Sequence, residues 1–139
     1  MAEARFSMEY ALAAAIVYGK VRLDQYTLDA VNHPTVTELM SRINMEIDPE
    51  LAALGFIGTA PAKLRIKLTD GRVLEGRCDL AVRNPEKPLS DSDIRSKFME
   101  CASRVLTQTR VQKLVDMLFS LERIEDIASI VDLCTVDAT

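Results

Sequence analysis

Few side chains in this sequence can move a proton, hold a metal or attack a carbonyl, and most of those have a plainer structural use. His33 is the single histidine and stands directly before Pro34. With no Cys, Asp or Glu partner at ligand spacing it makes a poor metal ligand or general base, and it reads as a helix-capping or solvated residue. Ser90 and Asp93 have the types of a hydroxyl–carboxylate pair. Yet Leu89-Ser90-x-x-Asp93-Ile94 is also the pattern of a capping box with a hydrophobic staple, and capping is the reading adopted. Cys78, Cys101 and Cys134 are odd in number, far apart and without a Cys-x-x-Cys pair. That spacing suits neither a zinc site nor a disulfide framework, so buried free thiols in a reducing compartment are expected. Lys63, Arg65 and Lys67, with Arg72 and Arg77, form a basic row that could draw an anionic ligand or partner. A solvated outer sheet face is the stronger expectation, because the alternate residues are apolar. No Gly-rich phosphate loop, Walker pattern or Gly-x-Ser-x-Gly elbow occurs. Neither a metal nor a cofactor is expected.

The elements that position these groups must come from a chain of 139 residues, 48% hydrophobic and 27% charged. That balance can fill a core and excludes a disordered, collagen-like or low-complexity protein. Aromatic residues are 5% with no Trp, and the net charge is −4. Stacked-ring platforms for single-stranded nucleic acid and dedicated DNA-binding domains are therefore not expected. The apolar run from Tyr10 to Tyr18 is about half the ~20 residues of a membrane span, and the N-terminus lacks the marks of a signal peptide. A cytoplasmic chain with no membrane partner is the expectation.

Phe6 to Tyr18 is polar only at Ser7 and Glu9, is rich in alanine and ends at Gly19, which predicts a helix. A helix apolar on nearly every side must be covered on nearly every side, and a chain of this length can hardly surround one at its own terminus. Short helical turns are expected over Leu23–Tyr26 and Thr27–Asn32. Pro34 then opens a helix whose Val36, Leu39, Met40 and Ile43 share a face. Residues 44–48 alternate weakly as a candidate third strand, and Pro49 to Pro61 reads as mostly loop. The clearest strands are Ala62–Thr69 and Arg72–Leu80. A two-residue turn would mix their faces. A three-residue loop, Thr69-Asp70-Gly71 with Gly71 left-handed, puts Ile66 opposite Leu74 and Ala62 opposite Cys78. Helices follow from Ser90 to about Leu106, through Val111, Leu114, Val115, Leu118 and Leu121, and in a short tail around Ile124–Val131. The order reads as α+β: a small antiparallel sheet, the hairpin at about 62–80, packed against several helices.

Several stretches together resemble one family. Arg5-Phe6-Ser7-Met8-Glu9-Tyr10, running into Ala13-Ala14-Ala15 and Gly19, is similar to the Lys/Arg-x-Ser-x-x-Tyr helix of the MmgE/PrpD family. Leu23-Asp24-Gln25-Tyr26 resembles its Leu-x-Gln-Phe turn, and Ile66-Lys67-Leu68-Thr69-Asp70-Gly71 its strand ending in Asp-Gly. Asn84-Pro85-Glu86-Lys87-Pro88-Leu89-Ser90 with Lys97-Phe98 resembles its Pro-Leu-Ser…Lys-Phe segment, and Leu121 to Asp126 its closing helix.

The family includes 2-methylcitrate dehydratase, cis-aconitate decarboxylase and iminodisuccinate epimerase. The resemblance implies a two-domain enzyme, a helical domain and an α+β lid, with a site between them that acts on small polycarboxylates, usually without metal or cofactor and often in a homodimer. This chain would be one lid-like domain, residues 1–139, with the lid over about 1–106 and helices over about 107–132 that join a missing helical domain or subunit. Where the dehydratase and decarboxylase branches carry a catalytic histidine this sequence has Phe6, which cannot exchange a proton. Ser7 matches the family's serine and is the candidate substrate-binding residue, with no base visible beside it. The chain alone is expected to be inactive, its substrate bound only in the complete enzyme. The alternative is a non-catalytic binding or subunit-interaction module from a split or truncated gene.

Overall fold

The computed structural model describes residues 3–54, 61–80 and 84–135, and the chain divides into two compact units, Met1–Gly55 and Phe56–Thr139. The first unit opens with a 3-10 turn, Glu3–Phe6, which leads into helix α1, Met8–Tyr18. Helix α1 starts two residues later than its apolar run because Ser7 takes the N-cap in an extended conformation, its hydroxyl accepting the Tyr10 N–H at 3.0 Å. It stops at Gly19, whose φ of 70° lets its N–H reach the Ala15 carbonyl at 2.9 Å. A second 3-10 turn, Leu23–Tyr26, and the short helix α2, Leu28–Val31, bring the chain to α3, Pro34–Met40, with the proline at the first helical position as expected.

Helices α1 and α3 form the core of this unit. Tyr10, Ala13 and Ala14 recur at i, i+3 and i+4, and all are buried together with Ala4 and Val36. The small alanines let α3 approach closely, and Val17, Tyr18, Leu39, Met40 and Ile43 close the edges of the contact. Among the described residues of α1 those fully buried, Tyr10, Ala13 and Ala14, all lie on this side. Met8 and Ile16, on the other sides, remain 51% and 54% exposed.

After α3 one expectation fails and a second is narrowed. Residues 44–48 form no strand: Met45 and Ile47 are 64% and 86% exposed, and among the described residues the sheet has two strands, neither of them here. Five weakly alternating residues without a neighbouring strand have nothing to fix them as one. Pro49 does not break structure but starts it, as the first residue of helix α4, Pro49–Ala53. Asp48 caps that helix, its Oδ1 accepting the N–H groups of Glu50 and Leu51 at 2.9 and 3.1 Å. The expected loop residues 55–60 lie outside the described residues.

In the second unit, strands β1, Ala62–Lys67, and β2, Val73–Cys78, pair antiparallel. The register puts Ile66 opposite Leu74 and Ala62 opposite Cys78, as the three-residue loop requires. Gly71 sits at φ 87° and donates to the Leu68 carbonyl, while the Leu68 N–H returns to Arg72 at 2.8 Å. No strand residue is fully buried; Ile66 alone is half-covered, and Leu64 and Leu74 are 41% and 50% exposed. Helix α5, Asp91–Ala102, begins at the expected capping box. The Asp93 N–H donates to Ser90 Oγ at 3.2 Å and the Ser90 N–H to Asp93 Oδ2 at 3.1 Å. Helices α6, Gln108–Leu118, and α7, Ala128–Cys134, complete the unit. Val111, Leu114, Val115 and Ile130 are its buried residues, whereas Leu118 and Leu121, expected on the same face, are 38% and 46% exposed. Helices and a two-stranded antiparallel sheet together make the fold α+β.

Leu114→Ala should lower unfolding free energy by about 2–5 kcal/mol, because the leucine is fully buried. Leu118→Ala should cost well under half as much, as urea titration of the two variants would show.

Candidate functional site

The two site residues that the family resemblance singles out, Phe6 and Ser7, stand at the start of α1. Phe6 ends the first 3-10 turn with its side chain in solvent, 91% exposed. Ser7 is half-buried and fully engaged: besides capping Tyr10, its hydroxyl donates to Glu9 Oε2 at 2.9 Å. A carboxylate therefore does stand beside Ser7, which the sequence reading did not recognise. The signal was the acidic residue two positions after a capping serine, in the turn where helix N–H groups favour negative charge. The Glu9 carboxyl is held below its ordinary value by its own backbone N–H and then by the Ser7 hydroxyl. A base weakened in this way is suited to hold a helix start together and poorly suited to take a proton from serine.

Tyr10, the next residue of the motif, is fully buried. Its hydroxyl donates to the backbone carbonyl of Gln25, in the Leu23–Tyr26 turn, and its ring lies 5.6 Å from that of Tyr26. Gln25 is itself buried, and its Oε1 accepts the Arg22 N–H at 3.0 Å, fixing the turn that receives Tyr10. Burial, followed by the nearby Tyr18 and Tyr26, raises the Tyr10 hydroxyl above the usual phenol range. The Arg-x-Ser-x-x-Tyr stretch and the Leu-Asp-Gln-Tyr stretch are thus two halves of one contact. Ser7 starts the helix and Tyr10 bolts it to the turn.

The remaining candidates lie elsewhere and keep structural uses. His33 occupies the N-cap position of α3 without a side-chain capping bond, and its exposed ring meets Tyr18 edge-on at 6.2 Å. Ser90 and Asp93 belong to the capping box, and the Ser90 hydroxyl holds the Asp93 carboxyl below its ordinary value. The three cysteines are free as expected, but they are exposed rather than buried. Cys78 ends an open strand, Cys101 lies on the uncovered side of α5 and Cys134 ends α7, so none reaches a core. The basic row is solvent-facing, with Arg65 paired to Glu75, Arg72 to Asp70 and Arg77 to Asp79 at 2.7–2.8 Å. Among the described residues no group of three or more His, Cys, Asp or Glu could hold a metal ion, and no helix is long and apolar enough to cross a membrane.

The profile of the MmgE/PrpD C-terminal domain matches residues 1–123, which include both halves of this contact and the hairpin. The chain belongs to the MmgE/PrpD family. It is 32% identical over 124 residues to the cis-aconitate decarboxylase of Mus musculus and 30% identical over 124 residues to that of Homo sapiens. Each match takes in 89% of this chain and 25% of the relative. The cis-aconitate decarboxylase of Aspergillus terreus is 24% identical over 131 residues, 93% of this chain and 26% of that protein. The chain therefore spans about a quarter of the length of the curated relatives it matches. Within this MmgE/PrpD domain the motif residues Ser7, Tyr10 and Gln25 serve the placement of α1.

Two titrations check this arrangement. Ser7→Ala should remove about 1 kcal/mol of stability by loss of the cap and let the Glu9 carboxyl titrate nearer its ordinary value, readable by NMR. Because the folded Glu9 value is depressed, its contribution is present above the unfolded carboxylate value of about 4.3 and fades as pH falls through the folded value. Tyr10 has the opposite sign. Its raised value means stability is held below the unfolded phenol's value of about 10 and lost as pH climbs through the folded one. Tyr10→Phe should cost about 1 kcal/mol near neutral pH and flatten the alkaline fall in a pH series of unfolding curves.

Proposed function

We propose that this chain is the C-terminal, lid-type portion of an MmgE/PrpD-like lyase or isomerase acting on small polycarboxylates, and that it is catalytically silent by itself. The observation that carries this reading is the start of α1. Phe6 stands where the resemblance places a proton-transferring histidine, and its ring is 91% exposed. Ser7 spends its hydroxyl on the helix cap and on a weakened carboxylate. Dehydration, decarboxylation and epimerisation of a polycarboxylate all need a group that takes or gives a proton at carbon or oxygen. At this helix start no side chain is poised to do so.

The reading also draws on the uncovered side of α1. A helix with Met8 and Ile16 half in solvent has apolar surface to bury. A helical domain or subunit of the same enzyme is its natural cover, and the acid and base groups of the complete site belong to that part. The relatives' lengths, about four times the matched region, leave room for it.

Incubating the purified chain with cis-aconitate and with 2-methylcitrate should give no turnover above buffer. Turnover of either compound, abolished by Ser7→Ala, would refute the reading.

A further inference from the structure

Helix α7 joins the second unit through few of its residues. It has seven, about half the 12–15 at which a helix begins to hold by itself in water. Ile130 is its buried residue and Leu133, one turn on, is half-buried. Val131 beside them and Ile127 at the helix start are 57% and 60% exposed. Residues 124–127, which lead into α7 from the 3-10 turn Leu121–Arg123, form no helix or strand, and Asp126 Oδ1 accepts the Ala128 N–H at 2.9 Å. At the far end Arg110 of α6 donates from Nη1 to the Thr135 carbonyl at 2.8 Å. Helix α7 packs against α6, whose buried side chains are Val111, Leu114 and Val115. The family match ends at residue 123, before α7 begins.

We propose that α7 is a strap over α6 that swings off about residues 124–127 while α5 and α6 stay folded, and so governs how much of the α6 apolar stripe meets water. Closed, Ile130 covers the stripe and the Arg110 bond fixes the far end of the helix. Open, α7 gives up its buried side chain and, too short to persist alone, unwinds, and the regained chain entropy favours this state. Wetting Val111 and Leu114 opposes it and keeps the closed form in the majority. The pairing of α5 with α6 does not pass through the strap. Arg95 of α5 lies 3.7 Å from the centre of the Phe119 ring and 3.7 Å from Asp116 Oδ1, both at the end of α6 away from Arg110. The stripe also runs past the strap, since Leu118, one turn beyond Leu114, is 38% exposed with α7 in place. Elements with few buried side chains are those that open locally, ahead of the rest.

Hydrogen exchange of the full chain, followed by NMR in rising low concentrations of urea, tests the strap. Amides of residues 131–134 should exchange about tenfold faster than those of residues 112–118, with little dependence on urea, as local opening requires. Arg110→Gln should speed the α7 amides further and leave those of α5 unchanged. As a second measurement, with Cys78→Ser, Cys101→Ser and Cys134→Ser in the background, a Val111→Cys thiol should react with a thiol reagent at the rate at which α7 opens, and faster when Arg110→Gln is added. Exchange of the α6 and α7 amides in step at every urea concentration would overturn the proposal, because α7 is then a fixed part of one cooperative unit. A Val111→Cys thiol that reacts only as the whole chain unfolds would also overturn it, because something other than α7 then covers the stripe.

Discussion

A helix whose surface is almost all apolar needs more cover than one neighbour can provide. Helix α1 buries Tyr10, Ala13 and Ala14 against α3, and this single contact sets the geometry of the first unit. Alanine makes it possible, because small side chains bring two helices close without a deep layer of large residues between them. The same economy leaves the other sides of α1 unpaid. Met8 and Ile16 stay half in solvent. The proposed enzyme fragment follows from that surplus.

The start of the helix shows why a motif can be legible and its use misread. Ser7 and Tyr10 are spaced so that the first caps the helix and the second points back onto the Leu23–Tyr26 turn. Both are needed for α1 to lie where it does, whatever chemistry the complete protein performs. Phe6, just before the cap, sits at the exposed end of the 3-10 turn, where its side chain can neither give nor take a proton.

Much of the architecture could be read from residue order because it rests on local rules. The hairpin register follows from one incompatible alternative, since a two-residue turn would have mixed Leu68 with Val73 and Ile66 with Glu75. The capping box at Ser90, the proline start of α3 and the glycine stop at Gly19 are equally local. The failures are of another kind. Residues 44–48 have a strand's alternation but no neighbour to pair with, which no count of alternating residues can supply. The prolines and glycines of residues 49–61 read as loop, while the Asp48 side chain caps a short helix at their start. Cysteine is a commonly buried type, but burial depends on which elements cover it, and these three are exposed. A carboxylate in a first helical turn looks like ordinary charge complementarity, and the bond of Glu9 to Ser7 shows only in the structure.

The central claim is that the uncovered side of α1 is a surface made to be buried. Titration of the isolated chain with a hydrophobic dye, with and without Met8→Glu and Ile16→Glu, tests it most directly. The account predicts clear dye binding by the wild-type chain, largely lost in the double variant while its melting temperature is unchanged, because neither side chain supports the α1–α3 core. Dye binding that is absent, or that is indifferent to both substitutions, would contradict it.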